Sequence, residues 1–226
     1  IVRDIESGRI YERSGEGKSA RGAARYEISA FAGGAADILA SPEGRFSTKY
    51  IGTGTSSTAF GWGLYFTSRA EVAKRYADLA AKLKGTHQQK GSHHLFAVTL
   101  HKGKAADQYD YLSWDGKLTE RQAMKIKNRL QATGQTTALN SRAMQAALTG
   151  GTGAQTYEAL TDMLGSKEAA SKWLLKAGID GTTYRADYVM DNVPEGTRHY
   201  VVFDDKAVTI EQHRQYLVRD LFKQTQ

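Results

Sequence analysis

The chain has no cysteine, which excludes disulfide staples, thiolate-ligated zinc and a thiol nucleophile, and fits a reducing, cytoplasmic site of action. Proline is scarce, with Pro42 and Pro194 the only two. No run approaches the roughly eighteen apolar residues that a membrane span needs. Ile1 opens onto charged residues rather than a signal-peptide pattern, and a start without methionine fits a domain taken from a longer polypeptide. Across 226 residues, a 40% hydrophobic and 24% charged composition supports a real core, so one globular domain is expected rather than disorder.

Basic residues are in excess, with a net charge of +7, and the excess is uneven. Between Lys82 and Lys104 lie five lysines (Lys84 and Lys90 among them) and His87, His93, His94 and His101, without one acidic residue. Arg121, Lys125 and Arg129 recur every four residues on a predicted helix and form one basic stripe, with Ala123, Ile126 and Leu130 turned elsewhere. Both features suit a polyanion such as RNA; an ordinary solvated surface is the plainer alternative.

Phe60-Gly61-Trp62-Gly63-Leu64-Tyr65-Phe66 is the most informative stretch. Two glycines flank an indole and let backbone approach a flat ligand, while phenol rings at Tyr65 and Tyr76 offer stacking surface. A turn running into a buried strand explains the heptad equally well. Residues 1–22 read as a charged arm. Ala24 to Phe31 alternates as a half-buried strand ending at Ala32-Gly33-Gly34, and a long loop runs from Ala40 to Thr58. Val72, Ala73, Tyr76, Leu79, Ala80 and Leu83 share a helical face, and Leu95 to Leu100 is a strand. Residues 107–179 read as a nearly all-helical insertion, with a capping box at Thr119 and Gln122. Strands are expected again at Gly181–Tyr184, His199–Phe203 and Ala207–Ile210, followed by a last helix from Glu211 carrying Tyr216, Leu217 and Leu221. Tyr200 to Phe203 is apolar on both faces and should be central in its sheet. The expected fold is therefore α+β with a mostly helical insertion, in a single domain.

Gly61-x-Gly63-Leu64-Tyr65-Phe66 with Tyr76 at its interval, and Tyr200-Val201-Val202-Phe203 near the end, resemble the diphtheria-toxin and poly(ADP-ribose)-polymerase class of ADP-ribosyltransferases. Phage-associated and polymorphic-toxin branches look closest. The resemblance implies a split mixed β-sheet core, NAD as co-substrate, no metal, and a sandwich of nicotinamide between Tyr65 and Tyr76. It also implies carboxamide recognition by the backbone of Gly33, beside Gly34, and closure of the Ser47–Ser57 loop over the adenosine half. A toxin or effector role follows from the same likeness, acting in a cytoplasm after delivery within a larger secreted or phage-encoded polypeptide, with a cognate immunity protein as a partner. The sequence departs from the family pattern at two places: Ala32 stands where the family has histidine and His199 where it has glutamate. Ser29, Ser47 or Thr48 would then hold the ribose hydroxyl, and Glu195 or His199 would serve the acceptor or the developing charge.

The class built on Arg, Ser-Thr-Ser and Glu-x-Glu fits less well, because no Glu-x-Glu precedes the late strand. No phosphate-loop, His-Glu-x-x-His or Gly-x-Ser-x-Gly pattern occurs either. His93 and His94 are adjacent on a strand and should point to opposite faces, which argues against their sharing a metal. Two functions therefore stand: transfer of ADP-ribose from NAD to an RNA or protein acceptor, or a catalytically worn transferase fold that binds nucleic acid or protein.

Overall fold

Arg198–Val202 (β6) occupies the sheet interior as its apolar run requires, with Val201 and Val202 fully buried on opposite faces. The computed structural model describes residues 28–34, 37–52, 58–83 and 92–217. The other strands are Ile28–Gly34 (β1), Leu64–Thr67 (β2), Ser92–Leu100 (β3), Tyr111–Ser113 (β4), Gly181–Arg185 (β5) and Val208–Leu217 (β7). Together they make one mixed sheet in the order β4-β5-β6-β2-β1-β3-β7, antiparallel except for the β4–β5 pair. Among the described residues six α-helices accompany it: Ala70–Leu83 (α1), Glu120–Ala132 (α2), Thr136–Leu139 (α3), Arg142–Leu148 (α4), Gly153–Leu164 (α5) and Lys167–Lys176 (α6). The fold class is α+β. None of the described helices is long and apolar enough to cross a membrane.

The sheet packs on both faces. α1 lies over the face carrying Phe31, Leu95 and Ala97, with Ala70 and Ala73 against them. The opposite face carries Phe66, Phe96, Val98 and Val202, covered in part by Phe46, whose ring meets Phe66 and Phe96 edge-on at 5.1 and 5.4 Å. The helices α2 to α6 form a third cluster around Ile126, Leu130, Tyr157, Leu160 and Leu174, which joins the sheet through Val201 and Phe203. Thr119 and Gln122 make the expected capping box at the start of α2, and Thr152 with Gln155 makes another at α5.

Four expectations need correction. The strand over Ala24–Phe31 continues through Gly33 and Gly34, which pair with Leu95 and His94; residues 24–27 lie outside the described residues, as does the 1–22 arm. Of the helix expected from Glu211, Leu221 lies outside the described residues and residues 211–217 are strand instead, because Val208 to Leu217 pairs along β3 from Leu100 back to Ser92. Its Glu-Gln-His-Arg-Gln stretch reads as helix-forming when isolated, but as a polar edge strand it discourages pairing with other chains. Leu79 is 48% exposed, because α1 turns its small residues Ala70, Ala73 and Ala77 inward instead. The 107–179 segment also contains β4, which returns to the sheet beside β5 before the helices begin.

Candidate functional site

Both glycines of the Phe60–Phe66 heptad have local reasons. Gly61 adopts φ 124°, a conformation that L side chains rarely adopt, and a Cβ on Gly63 would lie 2.7 Å from the Val202 carbonyl oxygen. The turn is then locked from three sides. Tyr65 Oη donates to the Gly61 carbonyl at 2.8 Å and accepts from the Phe60 amide at 3.2 Å. Thr182 Oγ1 donates to the Phe60 carbonyl at 2.6 Å, and the Phe60 ring stacks on Tyr184 at 3.8 Å. From the helical segment, Tyr157 Oη accepts from the Trp62 amide at 2.9 Å and itself donates within the Lys167 carbonyl and Ser171 hydroxyl pair, both at 2.8 Å. Lys167 Nζ also reaches the Thr58 carbonyl at 3.0 Å.

The register then aligns a row across the sheet: Tyr184 opposite His199, His199 opposite Thr67, and Thr67 opposite Phe31. One step along the same face, Thr182 aligns with Val201 and Val201 with Tyr65. Tyr76 of α1 closes over the row, meeting His199 edge to face with ring centres 5.6 Å apart, while the Tyr184 ring centre lies 4.9 Å from that of the same imidazole. Tyr65 and Tyr76 are both half-buried, and His199 is 3% exposed. The cluster is dry enough to act on its ionisable groups. Burial pushes the phenols of Tyr65, Tyr76 and Tyr184 up, and it pushes His199 down to about 4, partly offset by a hydrogen bond to the Phe66 backbone. At neutral pH His199 is an uncharged imidazole. Its Nε2 and the Oγ1 of Thr67 opposite it are buried without a hydrogen-bond partner among the described residues, an arrangement that native proteins keep mainly where a ligand or water completes it.

β1 and β2 share one register pair, Phe31 with Thr67, whereas β1 and β3 share seven. Continuing the β1–β2 register would set Gly33 opposite Tyr65, but the ladder ends before reaching them. Gly33 is needed there for a second reason, since a Cβ would lie 1.8 Å from the Ala73 carbonyl oxygen of α1. The glycine lets helix and strand approach, which holds Tyr76 over the sheet. Gly34 follows it, paired with His94.

The remaining expected site residues are dispersed. Ser47 is buried and accepts a bond from the Lys49 amide, while Thr48 donates to Asp205 at 3.1 Å; with Phe46 packed on Phe66 and Phe96, this stretch lies against the face opposite Tyr65. The loop residues 53–57 lie outside the described residues. Glu195 is exposed in a tight turn closed by the Thr197 amide on the Pro194 carbonyl. The Asp191–Asn192 end of that loop is tied to α1 by Arg75, through carbonyl contacts of 2.9 and 3.1 Å.

The basic stripe on α2 faces inward partners. Lys125 Nζ binds Asp110 at 2.9 Å and the Gly178 carbonyl at 2.7 Å; Arg121 approaches Asp110 at 3.6 Å and donates to the Asp107 carbonyl; Arg129 lies 5.5 Å over the Trp173 ring. These cations dock α2 against the end of α6 and the strand entry at Asp110. Lys84, Lys90 and His87 lie outside the described residues, as does the side chain of Lys82. His93, His94 and His101 are buried, not surface-displayed. His93 and His94 do point to opposite faces: His93 approaches Asp78 of α1 at 3.0 Å, and His94 meets His213 of β7. Sequence reasoning missed Thr67, Tyr184 and Tyr157. The strand pattern marks Thr67 and Tyr184 as buried, but only the register shows that both flank His199.

No family model matches this sequence, and no curated protein or solved structure is found to be similar to it.

Proposed function

We propose that this domain binds NAD and transfers ADP-ribose to a macromolecular acceptor, RNA or protein, in the manner of the diphtheria-toxin-like ADP-ribosyltransferases, as a toxin or effector. One observation carries the reading: Tyr76 and Tyr184 flank a neutral, buried histidine, His199, with Thr67 opposite it and Tyr65 one step along the same face, next to the point where the β1–β2 ladder ends, and among the described residues His199 Nε2 and Thr67 Oγ1 have no hydrogen-bond partner. Such a site offers ring faces to a flat heterocycle and polar atoms to its substituents. The co-substrate would supply the glycosidic bond that breaks.

The chain's own residues divide the work. The half-exposed rings of Tyr65 and Tyr76 grip nicotinamide from β2 and α1, and the Gly33 backbone addresses its carboxamide. His199 donates through one nitrogen to backbone, so the Nε2 lone pair is left to accept a ribose hydroxyl, and Thr67 Oγ1 completes that contact. Holding the reacting carbon in place in a dry site is the main contribution, since this chemistry needs positioning more than a strong nucleophile. Glu195 is the nearest carboxylate in sequence, and reaching the acceptor from its exposed turn requires movement of the 191–197 loop.

A specific observation favours a second reading. His199 stands immediately before Tyr200 where the family has a carboxylate, and an imidazole that titrates near 4 neither carries negative charge nor is a strong base at neutral pH. The alternative is a worn transferase fold that recognises its ligand, or a nucleic-acid or protein partner, without turnover. Nicotinamide release from NAD, measured for the wild-type chain and for Tyr65→Ala, tests the first reading. Release that the substitution abolishes supports the enzyme. NAD binding by calorimetry with no release supports the second, and neither binding nor release removes the NAD site altogether.

A further inference from the structure

His94 and His213 meet nitrogen to nitrogen, Nδ1 to Nε2, at 2.8 Å on the sheet face away from α1. Their ring planes are 10° apart with centres 5.0 Å apart, an edge-on meeting that points each ring nitrogen at the other. The register explains it: His94 aligns with Gln215 and Phe96 with His213, so the two histidines are diagonal neighbours on one face. Phe96 stacks on His213 at 4.5 Å and holds that ring in place. Gly34 aligns with His94 at the end of β1, and three residues later Asp37 brings its carboxylate over the pair. One donor atom from each of Asp37, His94 and His213 lies within 4.8 Å of the other two.

We propose that Asp37, His94 and His213 form a binding site for a divalent transition-metal cation of the zinc type. Two imidazoles and a carboxylate are a borderline donor set suited to zinc, cobalt or nickel and poorly suited to magnesium or calcium, which favour oxygen. In the metal-free pair one imidazole must donate its N–H to the other. A cation replaces that shared hydrogen once the donating ring shifts its proton to its other nitrogen, so no charge is left unbalanced on the rings. Zinc–nitrogen bonds of about 2.0–2.1 Å in a tetrahedral arrangement set the two nitrogens about 3.3 Å apart, so the pair opens by roughly 0.5 Å, within reach of side-chain rotation. Asp37 Oδ1 accepts from the Leu39 amide at 3.0 Å, which orients the carboxylate. Asp37 is partly open to solvent, so the cation keeps an outward coordination position. Binding would pin the segment after β1 to the edge strand β7. This site lies on the opposite face of the sheet from Tyr76 and His199, and it stands whether or not the NAD reading does.

The test uses the full chain without a histidine tag, stripped with chelator and titrated with Zn²⁺ by calorimetry and with Co²⁺ by visible absorption. One equivalent should bind, with a cobalt d–d band of a low-coordinate nitrogen and oxygen site. His213→Ala should weaken zinc by about 100-fold or more and Asp37→Asn by about tenfold or more, since losing even an outer-shell partner of a metal ligand costs about 10–100-fold. Thermal unfolding without metal reports whether each variant is folded, and Asp37→Asn, in a turn, keeps the test open if His213→Ala is not. Absence of a stoichiometric site overturns the proposal. So does binding of wild-type strength in both variants, which would move it to other residues.

Discussion

Thr67 and His199 face each other across the β2–β6 ladder, and each buries a polar atom that no group among the described residues satisfies. Leaving two such atoms side by side costs stability unless something completes them. Substituting Thr67 by an apolar residue of similar shape should therefore stabilise the free chain or leave it unchanged while weakening its ligand, whereas an apolar residue at 199 would also lose the bond to the Phe66 backbone. Thr67→Val is the cleanest case: urea unfolding is expected to show a midpoint at or above the wild-type value, and NAD affinity by calorimetry to fall by about tenfold, the loss of one hydrogen bond. A drop in stability would mean that the hydroxyl has a protein partner after all.

The structural role of Tyr65 and its proposed ligand-binding role separate by substitution. Tyr65→Phe keeps the ring but loses the bonds to Gly61 and Phe60, so stability should fall by about 1 kcal/mol with nicotinamide-nucleotide binding largely kept. Tyr65→Ala removes the ring as well and should abolish binding.

Stability should depend on pH through His199. Its folded value, about 4, lies below the ordinary 6.5, so the unfolded chain binds more protons between those limits and stability rises with pH across that window. The contribution is complete above about pH 6.5 and is lost as pH falls towards 4, amounting to roughly 3 kcal/mol in all. His94 and His101, also pushed down by burial, act in the same direction. The difference between wild type and His199→Gln in urea unfolding at pH 7 and pH 4.5 isolates the His199 share; parallel losses in both proteins would contradict it.

Gly33→Ala should damage the fold directly. The added methyl meets the Ala73 carbonyl, which is helix backbone and cannot rotate away, so destabilisation of about 3 kcal/mol or more is expected by chemical denaturation.

The helical segment should stabilise the motif turn from a distance. Tyr157→Phe leaves the Trp62 amide, the Lys167 carbonyl and the Ser171 hydroxyl without their shared partner. A loss of about 1–3 kcal/mol is expected, with hydrogen exchange at the Trp62 amide accelerated more than in the sheet interior. Uniform acceleration would show that the contact has no local role.

Much of this architecture is legible from residue patterns. The apolar run at Tyr200–Phe203 marks an interior strand, the Thr119 and Gln122 box marks a helix start, and the glycines around Trp62 mark a turn into a strand; each signal is local, and each element forms there. What pairing decides is not local. Glu211 to Leu217 has helix-compatible composition and becomes strand only because β3 offers a partner along its length. The site is divided the same way. Tyr65 and Tyr76 announce themselves by spacing, but the company of Thr67, Tyr184 and His199 depends on three strands distant in sequence. The α2 stripe carries the opposite lesson, since regular spacing of Arg121, Lys125 and Arg129 looks like a docking face until Asp110, Gly178 and Trp173 are seen beneath it.

The single pair joining Phe31 to Thr67 has a mechanical consequence. The sheet is two panels, one of β7, β3 and β1 and the other of β2, β6, β5 and β4, meeting at a seam only one rung wide. α1 straddles that seam, packing on β1 and β3 of one panel and β2 of the other, so any shift of one panel against the other would change the separation between the Tyr76 ring it carries and the Tyr65 ring on β2.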